Sequence, residues 1–599
     1  MGKKKKIKKQ YRLRKNELQE RGWTDSLMEI LLPEPKMLRN KAGKLTPTWW
    51  NTDVEKAEKD ERFKLRKRKF DEIKSKKENE KQKKIDYIKE TSFVSNPADN
   101  YPFAREIKRH FIINVGATNT GKTYTALQAL KKANNGVYLA PLRLLAMEVQ
   151  DTLNSEGYLC SMSTGEEESI IEGATIMSST VEKLDVHQYY KIGIIDECQM
   201  IADKFRGGSW TRAILGLAAE TIYLCMSPDA IDICIKLIKL CGDTYEVIEC
   251  ERKTPLIFEK AQVKINDLTT GDAIILFSRK AVLNYAAELE KKGLNVSVVY
   301  GALPYQSRKK QVEMYRKGET DIVVSTDAIG MGLNLPIRRI IFVEDSKYDG
   351  EMVRKLNQQE IKQIAGRAGR YGIYDKGYVS TFAHGNAYPP YIREELLKEP
   401  QQIKIAHIPF PEECINEAMK ISESLKLWKE IKYPDIFVHE DVEELMKRIK
   451  YLEKQYPKLD KQTTYRLASV IFDEGSEFLF DEWRYYVKKY LDAGKIILPY
   501  IVGESLADFE LVYKQLDLYY SFHKVMNIDF NESALQDAKY ETISHINKML
   551  LEERKKVQTK TCRRCGKVLP PFFKFNICEG CFRGQHYGYF EDNEEEILF

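Results

Sequence analysis

The tract Gly116-Ala117-Thr118-Asn119-Thr120-Gly121-Lys122-Thr123 combines a glycine-framed turn with a lysine and a hydroxyl. Residues without a Cβ let successive backbone N–H groups turn inward on a polyphosphate, which predicts a phosphate-binding loop. Lys122 is then the cation for the β- and γ-phosphates and Thr123 offers a hydroxyl to Mg²⁺. Further along, the apolar run KIGII ends in Asp196-Glu197-Cys198-Gln199. In that pair Asp196 suits a metal-water shell, and Glu197 suits orienting and deprotonating an attacking water.

A third tract, Gln363-Ile364-Ala365-Gly366-Arg367-Ala368-Gly369-Arg370, places two arginines three residues apart among small residues. Both guanidinium groups leave one side of a tightly packed helix or turn, a form suited to charge developing on a γ-phosphate. If these arginines close from a second domain onto ATP held by the first, hydrolysis is coupled to domain movement. Near the end, Cys562, Cys565, Cys578 and Cys581 form two Cys-x-x-Cys hooks, the spacing of a tetrahedral Zn²⁺ site. Arg563, Arg564, Lys567, Phe572, Phe573, Lys574 and Phe575 accompany them. That mixture suits single-strand stacking or the packing of a small ribbon.

The elements that must position these residues are legible as alternation. FIINV, GVYLA, ATIMSS, KIGIID and TIYLCMS, then AIILFS, VSVVY, DIVVST and RIIFVE, are short apolar strands separated by amphipathic helices. Such alternation predicts an α/β fold with parallel sheets, here two in tandem, divided where KTPLIFEKAQVKIND breaks the pattern. After Lys398 helical stripes such as Val442, Leu445, Ile449 and Leu452 dominate. Asp349-Gly350 is a hairpin-turn signal.

Charge is distributed unevenly over the 599 residues. Residues 1–100 hold 29 lysines and arginines against 17 acids, so they alone exceed the net charge of +7. From Val54 to Glu90 acid and base recur four apart, as at Glu55/Lys59 and Glu72/Lys76, which predicts a solvated helix acting as a spacer or as a grip on nucleic acid. Ahead of it Thr24 is a helix cap. Pro35 to Trp50, with Gly43 at a turn, forms a small wing before a helix capped by Asn51 or Thr52, giving a winged-helix-like or docking element. No run of 18 apolar residues occurs, and the opening GKKKKIKKQ leads into polar sequence. The expectation is a soluble cytoplasmic protein without a membrane partner. Seven scattered cysteines suit a reducing compartment.

The ordered tracts GATNTGKT, APLRLLAMEV, TGEEE, DECQ, CMSPDA, ILFSRK, YGALP, STDAIGMGLNL and QIAGRAGR resemble superfamily-two helicases of the DExH type. More narrowly they resemble the Suv helicase family, the ATP-driven RNA helicase subunit of the mitochondrial RNA degradosome, and its bacterial relatives. The likeness covers about Tyr101 to Leu551 and implies two RecA-like domains. It further implies that Pro141, Arg143, Thr164, Gly165 and Thr180 on the first domain line a phosphodiester track. Ser278, Arg279, Tyr300, Gly301, Ser325 and Thr326 do so on the second, while Asp327 and Gly332 border the nucleotide.

Three features depart from wider helicase patterns. Gln199 replaces a histidine, leaving its link to Ser227 undefined, and Ile364 replaces an arginine. No glutamine lies between Gln82 and the phosphate loop, so Tyr101 is the candidate to stack on the base or simply to pack.

The expected organisation is a basic tail and small module (1–53), a charged helical arm (54–95), an ATP-binding RecA-like domain (96–250) and a second one (251–398). A helical accessory region (399–556), then a zinc ribbon and acidic tail (557–599), complete it. The expected activity is ATP-dependent unwinding of RNA duplexes, 3′ to 5′ by likeness, with single-stranded or duplex RNA, or DNA, and an exoribonuclease as expected partners. DNA unwinding and an ATP-switched clamp without unwinding are the alternatives.

Overall fold

The computed structural model describes residues 11–39, 45–92, 96–330, 335–350, 352–412, 415, 419–473, 475–556, 561–567, 569, 577–578 and 580–582. Gly43, Gly332 and the aromatic cluster Phe572, Phe573 and Phe575 lie outside them.

Residues 1–93 form one compact unit. A three-stranded antiparallel sheet, Arg12–Arg14, Leu45–Trp50 and Lys36–Arg39 with Leu45–Trp50 central, covers the helices Lys15–Glu20 and Asp25–Leu31. Thr24 caps the latter, accepting from the Leu27 N–H. Leu13, Leu18, Trp23, Met28, Trp49, Val54 and Phe63 make its core. Neither Asn51 nor Thr52 caps the next helix, which runs Asn51–Ala57 from Trp50. The Asn51 carboxamide oxygen accepts from Tyr11 N at 3.1 Å and so pins the first strand. The charged tract continues as the helix Glu61–Ser92, whose surface pairs include Lys67–Asp71.

Residues 94–599 form the second unit. Its first lobe has an eight-stranded sheet in the order Thr244–Glu249, His110–Val115, Ala219–Met226, Tyr190–Ile195, Gly136–Ala140, Ile176–Thr180, Cys160–Ser163, Glu168–Ser169. All neighbours are parallel except the last pair. The second lobe has six parallel strands in the order Leu256–Phe258, Gly377–Thr381, Arg339–Phe342, Asp272–Ile275, Ile322–Ser325, Val296–Val299. Central strands such as Gly136–Ala140 and Ile322–Ser325 are buried along their whole length, as parallel strands covered by helices on both faces must be. The segment expected to break the pattern supplies Leu256–Phe258, an edge strand.

The helices Leu506–Met526 and Glu532–Lys556 belong to the second lobe. Leu506, Phe509, Tyr513, Ile543, Ile546 and Leu550 share one apolar core with Ile274, Val298 and Val324. Toward the first lobe the same helices present ion pairs, as Asp517 and Lys539 do below. No helix among the described residues is long and apolar enough to cross a membrane.

Candidate nucleotide cleft and nucleic-acid channel

The strand His110–Val115 delivers the chain into the phosphate loop, and the helix Lys122–Ala133 leaves it. A Cβ on Gly116 would lie 2.3 Å from the Cys250 carbonyl oxygen, and Gly121 has φ +85°, so both glycines are required by the backbone. Lys122 Nζ donates to the Gly116 and Ala117 carbonyls at 2.7 and 2.6 Å, holding the ammonium over the loop. Thr120 Oγ1 donates to Ala117 O.

Thr123 Oγ1 lies 3.1 and 3.2 Å from the Asp196 carboxylate oxygens. Tyr138 OH and Glu197 N also donate to that carboxylate, at 2.8 and 2.9 Å. Burial and the adjacent Glu197 push the Asp196 carboxyl up to about 6. A hydroxyl and a carboxylate this close are hard oxygen donors that fit Mg²⁺, which when bound beside a triphosphate neutralises its charge. Glu197 is held at φ +50°, a strained conformation for a glutamate and the sort that clusters at functional sites.

Gln199 resolves the link left open by the sequence. Its Nε2 donates to the Glu197 carboxylate, and its Oε1 accepts from Ser227 N at 3.2 Å. Ser227 Oγ donates to Asp229, and Asp229 accepts from Gln359 Nε2 of the second lobe at 2.5 Å. An amide can accept and donate at once, so a glutamine spans this chain without a change of protonation.

The second lobe closes the cleft. Asn119 Nδ2 donates to Gly369 O at 2.9 Å, and a Cβ on Gly366 would stand 2.6 Å from Thr118 Cβ. Arg367 is half-buried, with Nε donating to Gly330 O at 3.0 Å. Desolvation lowers its pKa, and Glu197, Glu148 and Asp196 are the acids that offset this. Arg370 has Arg316 and Glu148 as its electrostatic neighbours, and burial lowers its pKa also. A cavity of about 730 Å³ runs between Gly116–Thr118, Lys122, Glu197 and Gln199 on one side and Arg252, Gln363 and Gly366 on the other. Tyr101 stands apart from it, its ring packed on Gly216.

Arg252, which the sequence reading passed over, joins both walls. Its Nη1 donates to Thr118 O at 3.1 Å and Gly366 O at 2.9 Å, its Nη2 to Ala368 O, and its Nε to Thr254 O at 2.6 Å. Glu148 was missed too, although it is the acid whose charge acts on both candidate arginine fingers.

A second cavity of about 900 Å³ lies between the lobes and the helical region. Of the expected track residues, Arg143, Gly165, Thr180 and Gly301 line it. Asp327 lines it too, on the channel side instead of the nucleotide cleft, paired with Lys347 at 2.9 Å. Arg143 is not a free cation: it pairs with Glu166 and with Asp517 at 3.0 Å, and Asp517 in turn takes Lys539 at 2.7 Å. Gly165 abuts Ile471, and Thr164 Oγ1 accepts from Glu167 N at 3.0 Å.

Pro141 and Thr180 sit at the ends of strands Gly136–Ala140 and Ile176–Thr180, and Pro141 O accepts from Arg206. Ser278 caps the helix Arg279–Glu290, and Arg279 pairs with Glu510. Tyr300 is buried, donating to Glu510 at 2.7 Å. Ser325 is buried as well, and Thr326 Oγ1 accepts from Ala328 N. Near the C-terminus the four cysteine sulfurs lie within 4.8 Å of one another. Zn–S bonds of about 2.3 Å in a tetrahedron place sulfurs about 3.8 Å apart, so the cluster fits such an ion.

A phosphate loop, an acidic pair and an opposing arginine tract, carried by two tandem parallel-sheet lobes, form a two-lobed core with the architecture of a nucleotide-driven helicase. Comparison narrows the class. Residues 97–250 match the family model for the DEXQ-box helicase domain of Suv3, and 258–372 that of the helicase conserved C-terminal domain. Residues 97–250 and 258–372 are thus similar to the two domains of a helicase core, the first of the Suv3 DEXQ-box kind. The chain is 46% identical over 275 residues to the DExH-box ATP-dependent RNA helicase DExH16, mitochondrial, of Arabidopsis thaliana, covering 45% of this chain and 48% of that protein. It is 42% identical over 283 residues to the ATP-dependent RNA helicase SUV3, mitochondrial, of Candida albicans, covering 46% and 39%. Against the human ATP-dependent RNA helicase SUPV3L1, mitochondrial, the identity is 38% over 329 residues, covering 53% and 41%.

The chain therefore spans less than half the length of each of these relatives. Their names overturn the cytoplasmic expectation, since all three are mitochondrial proteins. Reduced cysteines and the absence of an 18-residue apolar run are shared by every reducing compartment, so those features could not have told one from another.

Proposed function

We propose that this protein is an ATP-dependent RNA helicase of the mitochondrial Suv3 kind, translocating 3′ to 5′ and feeding single strands to an exoribonuclease. The observation carrying this reading is the contact of Asn119 and Thr118 of the phosphate loop with Gly369 and Gly366 of the arginine tract. Through it a triphosphate on the first lobe faces Arg367 from the second. Lys122 and Thr123 bind the phosphates, Asp196 holds the Mg²⁺ shell, and Glu197, oriented by Gln199, accepts the proton of the attacking water. Asp327 borders the RNA channel and Arg370 supports Arg367 across Glu148. The backbone at Gly165 and Gly301 contacts phosphates without reading bases. The four cysteines hold Zn²⁺ in a small ribbon, and the N-terminal module adds basic surface for RNA.

Strand displacement on RNA and DNA duplexes with either overhang tests the reading, with Glu197→Gln as control. Loss of a general base lowers turnover roughly 10²–10⁴-fold while nucleotide binding stays. Unchanged turnover removes Glu197 as the base, and equal displacement of DNA favours the DNA helicase. Nucleotide-dependent RNA binding without displacement by the wild type identifies a clamp.

A further inference from the structure

The helix Gln358–Ala365 is a party wall. Glu360, Gln363 and Ile364 line the channel, whereas Gln358, Gln359, Lys362 and Gln363 line the nucleotide cleft. Such placement follows from helical periodicity, since residues 360, 363 and 364 share one face and 359 and 362 the next. Arg367 leaves the end of this helix toward Glu197 and Asp196. Whatever moves the helix is therefore felt at both sites.

On the channel face the Glu360 carboxylate gathers three contacts. Lys347 Nζ reaches it at 2.8 Å, and Arg354 binds it as a fork, with Nη1 at 2.9 Å and Nη2 at 2.8 Å. It also accepts from Asn357 N at 2.8 Å as part of the capping box that starts the helix. These donors hold the carboxyl at about 2, so it stays charged at any working pH.

Lys347 and Arg354 are cross-strand partners in the hairpin Ser346–Tyr348/Val353–Lys355. Lys347 also pairs with Asp327 at 2.9 Å, and Lys355 pairs with Asp345 at 2.5 Å. Past this charged base Tyr348, Met352 and Val353 are each more than 60% exposed, while Asp349 at the turn pairs back to Arg354 at 3.3 Å. A projecting hairpin clamped at its root by charge-assisted bonds is tied to the wall helix through Glu360.

We propose that Glu360 is a positioning residue that couples ATP hydrolysis to strand separation, transmitting movement of the Gln363–Arg367 segment to the hairpin through Lys347 and Arg354. Its carboxylate is taken up by Lys347, Arg354 and the Asn357 N–H, so it acts through them, and the proposal rests on the helicase reading above. Spatial intermediacy alone does not establish coupling, so the test measures coupling itself.

In the full chain, RNA-stimulated ATPase and duplex displacement are measured on the same preparation for wild type, Glu360→Gln and Arg354→Ala. The expected result is turnover within about 3-fold of wild type, with duplexes displaced per ATP falling about 10-fold or more in both variants. Turnover and displacement falling together, or displacement per ATP unchanged, overturns the proposal. Should Glu360→Gln fail to fold because the capping box is weakened, Arg354→Ala decides alone, because it removes the forked contact, leaving Lys347 as the single hairpin cation on Glu360, and spares the cap. A wild type that hydrolyses ATP but displaces no strand refutes the helicase reading instead.

Discussion

Replacing Arg252 by alanine removes four donated hydrogen bonds at once: to Thr118 of the phosphate loop, to Gly366 and Ala368 of the arginine tract, and to Thr254 in its own segment. Hydrogen bonds from a charged group are each worth about 1.5–3 kcal/mol in context. The cleft is accessible, so water takes over part of what is lost. Only the three bonds to the loop and the tract bear on catalysis, because the Thr254 contact is local. A net loss of about 2–4 kcal/mol in the closed arrangement follows, which is roughly 30- to 1000-fold in kcat/KM for ATP. Arg252→Lys keeps the charge but has no planar fork to reach three carbonyls, and falls between wild type and alanine. Steady-state ATPase with saturating RNA reads this out. Values of kcat/KM within 3-fold of wild type for the alanine variant would show that the carbonyl contacts do not hold the cleft, and the reasoning would fail.

Two further predictions rest on other parts of the fold. Burial pushes the Glu440 carboxyl from 4.5 up to about 7, reinforced by Glu182 and Asp203 and opposed by the Gly208 N–H and Arg206. The folded state therefore binds a proton that the unfolded chain has released, and stability falls as pH rises from about 4.5 to 7, by on the order of 2–3 kcal/mol. Glu440→Gln removes that slope, so its thermal midpoint gains on wild type between pH 5 and pH 8; a constant difference contradicts the assignment. Cys565→Ser breaks the four-sulfur cluster, and elemental analysis of the purified variant is expected to show less than one fifth of the wild-type zinc, with the ATPase core still folded.

The sequence made the nucleotide half of the site legible because its signals are local. A glycine-framed loop after an apolar strand, and an acidic pair at the end of another, each declare themselves within ten residues. All nine expected strands are present, since each is an apolar run flanked by polar residues. What escaped depends on contacts far apart in sequence. Arg252 is one basic residue in a polar stretch, and only folding brings Thr118 and Gly366 to it. Arg143 reads as a phosphate ligand until Asp517, 374 residues away, is found beside it. Leu256–Phe258 was overlooked because a three-residue edge strand with an exposed centre carries no periodicity. Tyr101, an aromatic residue before the phosphate loop, reads equally as a base-stacking or a packing residue in the sequence. Gly216 gives its ring a place in the first lobe's packing.

The account depends on a triphosphate bound by one lobe being hydrolysed with help from the other. Single-turnover hydrolysis of ATP by Arg367→Ala, with RNA present and ATP affinity measured in parallel, tests this most directly. The account predicts affinity within about 3-fold of wild type and a hydrolysis rate reduced about 10³-fold or more, the scale of an arginine finger. Hydrolysis within 10-fold of wild type would contradict it.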